Sequence, residues 1–127
     1  MSSKYILTSA RAEADSVFES ELRVHSNLLT NGEHVQLLWS KFEPDGTYPM
    51  HSHPQEQVSV MLQGRMRLTV GEEVGEIGPG DMWYAPADVP HGGELLGDDP
   101  IVFVDIYAPP SAEIFEFLEG LRPKPAG

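Results

Sequence analysis

The 127-residue sequence contains no cysteine and little positive charge. Without cysteine, the chain can form no disulfide scaffold, no thiolate zinc site and no cysteine nucleophile. Eight lysine and arginine residues stand against twenty aspartate and glutamate residues, which gives a formal net charge of −12. Because a surface this acidic repels nucleic-acid phosphates and anionic lipid, we expect neither nucleic acid nor a membrane among the partners.

Long apolar runs are missing as well. No segment approaches the roughly 20 apolar residues that span a bilayer, and the first residues lack the apolar stretch of a secretory signal peptide. We therefore expect a cytoplasmic protein. A chain of 127 residues, 40% of them hydrophobic, can bury one core and is too short for two ordinary domains.

Turn-forming residues are abundant, because twelve glycines and eleven prolines divide the sequence into short segments. Residues 65–70 alternate apolar and polar side chains, as expected of a strand with one buried face. No helical period occurs between residues 35 and 107. Short strands separated by frequent turns indicate an all-β sandwich or barrel. The predicted strands cover residues 35–42, 57–62, 65–70, 74–77, 81–85, 92–96 and 101–107.

The two ends of the chain have a different pattern. Near the carboxyl end, apolar residues recur at helical spacing after Ser111, which is a suitable N-cap. A short amphipathic helix over about residues 111–120 is therefore predicted to cover the barrel. Residues 10–24 fit an early turn of helix or an edge strand, and the sequence alone leaves both open.

Three potential ligands lie close together along the chain. His51 and His53 are two residues apart and Gln57 is four further on, so on one continuous strand all three side chains point to the same face. Imidazole is the commonest metal ligand at neutral pH, and an amide oxygen can bind beside it. His91 is the fourth candidate, since the two glycines after it permit close packing. The two remaining histidines are interpreted as surface or capping residues.

These residues belong to two spaced motifs. The first reads Gly46-x4-His51-x-His53-x3-Gln57-x6-Gly64 and the second reads Gly80-x5-Pro86-x4-His91. Together they resemble the two signature motifs of the cupin superfamily. The resemblance implies one domain over residues 1–127 that folds as a double-stranded jelly roll, the conserved cupin barrel, with its core at about residues 35–108. It also implies a divalent transition metal in the barrel, held by His51, His53, Gln57 and His91.

The sequence departs from the family pattern at two positions. Gln57 stands where the family usually has glutamate, and Leu95 stands where an asparagine usually follows the last histidine. A set of three histidines and one glutamine is neutral, so the ion keeps its full charge and favours an anionic or enolisable oxygen ligand. Nitrogen and oxygen ligands are compatible with Zn, Ni, Fe, Mn, Co or Cu, and the sequence does not choose among them.

Asp105 lies in the most apolar predicted strand. Because alternate side chains of a strand point to the same face, Asp105 shares a face with Phe103 and Tyr107. That face is either the wall of a pocket or a solvated surface. In a pocket, burial would raise the pKa of the carboxyl into the range useful for acid–base catalysis near neutrality.

Other polar and aromatic residues were candidates for the site. Lys41 lies two residues beyond Trp39, so both side chains point to the same face of the predicted strand. Lys41 is predicted to be the positive group nearest the site. Trp39 and Trp83 could line the barrel mouth. Arg65 and Arg67 share a polar strand face and are interpreted as solvated or interface residues.

Among cupins, the chain is most similar to the small single-domain type of pectin degradation, the KdgF-like cupins. The similarity rests on residues 51–57 and on the Val-Asp-Ile-Tyr-Ala-Pro segment at residues 104–109. It implies conversion of 4,5-unsaturated uronates to ring-opened keto sugars, with Asp105 moving protons and Tyr107 lining the site. The arginine that this type tends to carry shortly after the proline is absent from Pro110-Ser111-Ala112.

Alternative functions remain open from the sequence. One is a metal-dependent dioxygenase acting on a small aromatic or diketone substrate. Another is a lyase or cyclase acting on an acidic carbon substrate, and a third is a ligand-binding cupin without turnover. In each case the expected partner is a small molecule, anionic or enolisable. The resemblance further implies a homodimer.

Overall fold

The structure is a computed structural model that describes residues 4–123, so the outermost residues of the predicted domain lie outside it. Two short helices flank a series of strands. In chain order the elements are α1 (Ser9–Ala14), β1 (Val17–Glu19), β2 (Val24–Asn31), β3 (Gln36–Phe42), β4 (Tyr48–His51), β5 (Glu56–Gln63), β6 (Arg65–Val70), β7 (Glu73–Ile77), β8 (Met82–Ala85), β9 (His91–Leu96), β10 (Ile101–Ala108) and α2 (Ala112–Leu121).

The strands form two antiparallel sheets. The larger sheet has six strands in the order β1–β2–β3–β10–β5–β8, and the smaller has four in the order β4–β9–β6–β7. Core residues come from both sheets, for example Met61 and Phe103 from the larger and Met66 and Leu68 from the smaller. The predicted all-β jelly roll with a short carboxyl-terminal helix is thereby confirmed.

The alternating pattern of β6 explains how one sheet forms. Met66 and Leu68 are buried in the core, whereas Arg65 and Arg67 are exposed. The two arginines pair with Glu76 of β7 and Glu94 of β9, so they are surface ion pairs between neighbouring strands. Such exposed pairs contribute little stability, about 0–1 kcal/mol each. Burial of the alternate apolar side chains is therefore the main force that fixes the register.

Residues 10–24 contain both of the predicted alternatives. Helix α1 is followed directly by strand β1, which pairs with β2. These strands extend the six-stranded sheet beyond the barrel core predicted at residues 35–108. Ala12 of α1 packs on Trp39 and Val102, so the helix covers part of the outer face of this sheet.

Helix α2 covers one end of the barrel. Its N-cap is Ser111, whose hydroxyl accepts a hydrogen bond from the backbone N–H of Ile114. The fully buried side-chain amide of Gln36 makes two hydrogen bonds to the backbone of Ser111: it donates to the carbonyl at 2.9 Å and accepts from the N–H at 3.2 Å. Leu118 then packs with Leu38 and Tyr107. Within residues 4–123, neither helix is long and apolar enough to cross a membrane.

Candidate metal centre

Two of the candidate ligands face each other across the smaller sheet. His51 ends β4 and His91 begins β9, and the two are register partners. The strands can approach because position 92 is glycine: a Cβ atom there would lie 2.8 Å from backbone atoms of Pro49. Gly92 therefore sets the separation between the strands that carry these two histidines.

His53 and Gln57 reach the site by a different route from the one predicted. The three positions do not share a strand, because β4 ends at His51 and β5 begins at Glu56 in the other sheet, so strand alternation does not explain why their side chains converge. His53 lies in the connection between the sheets, and Gln57 projects inward from β5. The residues still meet, since the chain passes from one sheet to the other at this point.

One ring nitrogen from each of His51, His53 and His91 can be chosen so that all three lie within 4.8 Å of one another. In each ring the Nδ1 atom lies near a backbone carbonyl at 2.9–3.0 Å, those of Pro49, Gln55 and Val89 respectively. A hydrogen bond of this kind fixes the tautomer and leaves Nε2 free as a ligand. Burial lowers the pKa of His51 and His91, which favours the neutral, metal-binding form.

The contacts of Gln57 test whether these residues fit a metal ion. Its Oε1 atom lies 3.0 Å from Nε2 of His53 and 3.0 Å from Nε2 of His91. A neutral imidazole has a single N–H, which in the metal-binding tautomer is on Nδ1 and donates to the backbone carbonyl. Each Nε2 then turns a lone pair toward the Gln57 oxygen. A cation among these atoms would replace that repulsion with ligand bonds, so the donor set fits a divalent transition metal.

Asp105 lies on β10 of the larger sheet, where its register partner on β5 is Ser59, and its side chain is 3% exposed. Its Oδ1 accepts hydrogen bonds from the Ser59 hydroxyl at 2.5 Å and from the Gln57 amide at 3.1 Å. Its Oδ2 accepts one from the Tyr107 hydroxyl at 3.2 Å. The carboxyl therefore lies inside the barrel rather than on a solvated face. The donors of these hydrogen bonds come from the neighbouring strand β5 and from its own strand, β10.

Burial dominates the ionisation of this carboxyl. It raises the pKa of Asp105 from 3.8 to about 7, although the hydrogen bonds from Ser59, Tyr107 and Gln57 oppose the rise. Burial also raises the pKa of Tyr107 well above its ordinary value, so the phenol stays protonated and donates to Asp105. Near neutral pH, Asp105 thus populates both protonation states.

A cavity of about 590 Å³ opens onto these residues, with His51, His53, Asp105 and Tyr107 in its lining. Tyr48 also lines it, although no motif in the sequence includes this residue. Its hydroxyl is buried and has no hydrogen-bond partner among the described residues. Burial, followed by the nearby Asp105 charge, raises the pKa of Tyr48, although the neighbouring Gln57 side chain opposes the rise from beyond hydrogen-bond geometry, so the phenol stays protonated and can donate.

Ser59 was missed too, yet a signal for it was present. It lies two residues beyond Gln57 on β5, so strand parity places both side chains on the inner face. No comparable signal marks Tyr48, because an aromatic residue beside a predicted strand is ordinarily a core residue. Its unpaired hydroxyl is visible only in three dimensions.

The cupin domain model matches residues 38–107, which is more than half of the chain. The chain belongs to the cupin family. Over 61 residues it is 30% identical to oxalate decarboxylase OxdC of Bacillus subtilis (strain 168), a match that covers 44% of this cupin. The same match covers only 16% of OxdC, so this cupin corresponds to a small part of that longer relative.

Two solved structures illustrate the likeness of fold. KdgF from Halomonas sp. superposes with a TM-score of 0.70 at 21% identity, covering 77% of this cupin and 91% of that chain. The polyketide cyclase RemF from Streptomyces resistomycificus gives a TM-score of 0.64 at 22% identity, covering 76% and 75%. At these identities the superpositions show a shared barrel.

Three other predicted residues of this cupin lie away from the centre. Lys41 is on the outer face of β3 and pairs with Glu13 of α1 at 3.2 Å, so the prediction of a positive group near the site is wrong. Trp39 shares that outer face under α1 and does not line the mouth. Trp83 packs its ring on Phe103 inside the barrel core.

The two histidines outside the motifs have surface positions. Nε2 of His25 lies 2.6 Å from a carboxylate oxygen of Glu43, and His34 is largely exposed beside Glu33. Neither belongs to the three-histidine cluster.

Proposed function

We propose that this cupin is a metal-dependent enzyme that moves protons on a small enolisable carbonyl compound without a change of redox state, as an isomerase or lyase. The observation that supports this most strongly is the shared contact of Gln57. One end of its amide lies among the histidines and the other end binds Asp105. Two of these ligands, His51 and His53, thus line the same cavity as the candidate proton carrier Asp105.

His51, His53, Gln57 and His91 are the residues that would hold the ion. A divalent transition metal bound there would act as a Lewis acid that polarises a carbonyl oxygen and acidifies the neighbouring carbon. The donor set has no carboxylate, unlike the two-histidine, one-carboxylate triad of Fe(II) oxygenases, which supports redox-neutral chemistry over the dioxygenase alternative.

The remaining residues would transfer the proton and bind the substrate. Asp105, with a pKa of about 7, can take a proton from carbon and return it, and a pKa near the working pH is optimal for that task. Ser59 and Tyr107 hold its two oxygens in place. Tyr48 offers its free hydroxyl to a substrate oxygen.

The names of the structural neighbours are compatible with this proposal. One is called a polyketide cyclase and the other KdgF, the type whose resemblance implies an unsaturated uronate as substrate. The uronate itself remains a prediction, and the missing arginine after Pro109 does not favour it. Cytoplasmic location and a homodimer are proposals of the same kind. An equilibrium mass measurement tests the homodimer.

The reaction class is tested by hydrogen exchange at carbon. The uncharged α-hydroxyketone 2-hydroxyacetophenone would be incubated in D₂O with protein loaded with Zn, Ni, Mn or Co and followed by proton NMR. We expect wild type to accelerate loss of the signal of the CH₂ group beside the carbonyl, and Asp105→Asn to abolish the acceleration. Asp99→Asn, which alters an exposed carboxylate, is the matched control. Bound metal without any exchange would leave the ligand-binding cupin as the better account.

A further inference from the structure

The cavity beyond the candidate metal centre is mainly apolar. Its volume of about 590 Å³ falls within the usual range for small-molecule sites. Leu22, Val24, Leu38 and Phe42 come from the larger sheet and its border, and helix α2 closes the mouth with apolar side chains of its own. The polar lining residues are His51, His53, Asp105, Tyr48, Tyr107 and Glu113, together with four serines.

The charges in the lining have one sign. The acidic lining residues are Asp105 of β10 and Glu113 of α2. Neither lysine nor arginine is among the lining residues that the structure describes. Lys41 and the arginines of residues 4–123 are instead paired with carboxylates elsewhere on the surface. A substrate carboxylate placed away from the metal centre would therefore be buried without a counter-charge, which is costly.

We propose that the substrate is an uncharged carbonyl compound with an apolar body, bound with its oxygen atoms toward the histidines and Tyr48 and its body against the apolar walls. This inference rests on the proposed function and narrows its substrate class. It separates this cupin from enzymes of acidic sugars and small dicarboxylates, because a substrate carboxylate away from the metal centre needs a cationic partner that the described lining does not supply.

Substitutions in helix α2 can change this preference for uncharged substrates over carboxylates. Phe117 is 57% exposed and lines the cavity, whereas Phe115 is 40% exposed and is not among the lining residues. The same substitution to arginine at the two positions adds one positive charge to the same helix. Only the charge at position 117 would face a bound molecule.

The test compares two probes that differ by one carboxylate: 2-hydroxyacetophenone and its 4-carboxy derivative. Their dissociation constants would be measured at pH 8 by calorimetry, on metal-loaded and on metal-free protein. We expect wild type to bind the uncharged probe at least about tenfold more tightly, because the added carboxylate would be buried unpaired. Phe117→Arg should recover most of that loss for the carboxylate probe, and Phe115→Arg should not, with circular dichroism confirming that both variants fold.

Equal or tighter binding of the carboxylate probe by wild type overturns this inference, as does failure of the uncharged probe to bind. The outcome is separable from that of the proposed reaction. If the uncharged probe binds without hydrogen exchange, the reaction class fails and the substrate class stands. If exchange occurs only with the carboxylate compound, the substrate class fails and the reaction class stands.

Discussion

The amide nitrogen of Gln57 donates a hydrogen bond to Oδ1 of Asp105 at 3.1 Å. The oxygen of the same amide points the other way, into the histidine cluster. Because the ionised carboxylate requires a donor, it orients the amide so that its oxygen is presented to a cation. This single side chain couples the ligand set to the candidate proton carrier, and most of the predictions below depend on that coupling.

Gln57→Glu should retain metal and bind it about tenfold or more tightly, since a carboxylate adds a negative charge to a neutral donor set. The same change should weaken binding of anionic ligands, because the ion would then present less net positive charge. Metal titration and calorimetry with a small anion such as acetate measure the two effects. Gln63→Glu, an identical change at an exposed amide, should alter neither. Unchanged anion binding in the Gln57 variant would show that the charge argument is wrong.

Asp105→Asn should change how the stability of the metal-free protein depends on pH. The pKa of Asp105 is raised in the folded state, from 3.8 to about 7, so the folded chain binds a proton more readily than the unfolded chain. Its contribution is full below about pH 4 and is lost as the pH rises through 7. Relative to wild type, the variant should therefore gain about 4 kcal/mol in unfolding free energy between pH 4 and pH 8.

Urea denaturation of both proteins at a series of pH values measures this difference. The histidines, whose pKa values are lowered by burial, act in the opposite direction, but they are common to both proteins and cancel. A difference that stays constant from pH 4 to pH 8 would mean that Asp105 titrates normally, and its assignment as proton carrier would lose its support.

Tyr48→Phe should keep or raise stability while weakening function. The variant removes a buried hydroxyl that has no hydrogen-bond partner among residues 4–123, so the folded protein should gain up to about 1 kcal/mol. Binding of 2-hydroxyacetophenone should weaken about tenfold, which corresponds to loss of one hydrogen bond. Tyr107→Phe is the contrasting variant, because its hydroxyl does bind Asp105 and its removal should destabilise the protein. Full affinity in the Tyr48 variant would exclude this hydroxyl from substrate binding.

Gly92→Ala should separate the two strands that carry His51 and His91. The new Cβ would lie 2.8 Å from backbone atoms of Pro49, and backbone cannot move aside as a flexible side chain can. We expect a loss of about 1–3 kcal/mol in unfolding free energy together with weaker metal binding. Gly75→Ala is the control, since its Cβ would meet no atom within 4 Å. If both variants bind metal like wild type, the spacing of these strands is not critical.

Much of the barrel could be predicted from local patterns. The alternation in residues 65–70 predicts β6 because one face of that strand is buried and the other is solvated. The segment 101–107 predicts β10, which lies between two other strands in the larger sheet. Parity also placed Asp105 and Tyr107 on one face, and the structure shows that this face is the inner one.

Strand parity failed where the chain leaves a strand. His51 and Gln57 meet because the segment between them carries the chain from one sheet to the other, which no local period can show. Parity correctly grouped Lys41 with Trp39, but it could not show which face of β3 is the inner one, because one face packs on the barrel interior and the other on α1. Helix α1, which buries Trp39 on the outer face, is remote in sequence. The aromatic character of Trp39 therefore did not show whether its side chain faces the barrel interior or the outer face.

The central claim is that a metal ion binds to four residues, His51, His53, Gln57 and His91. Native mass spectrometry of protein titrated with Zn, Ni, Mn or Co counts the ions bound per chain. We predict one tightly bound ion in wild type, its loss in His91→Ala, and its retention in His34→Ala, which alters an exposed histidine. A folded wild-type chain that binds none of these metals, or that keeps its ion without His91, would contradict the account.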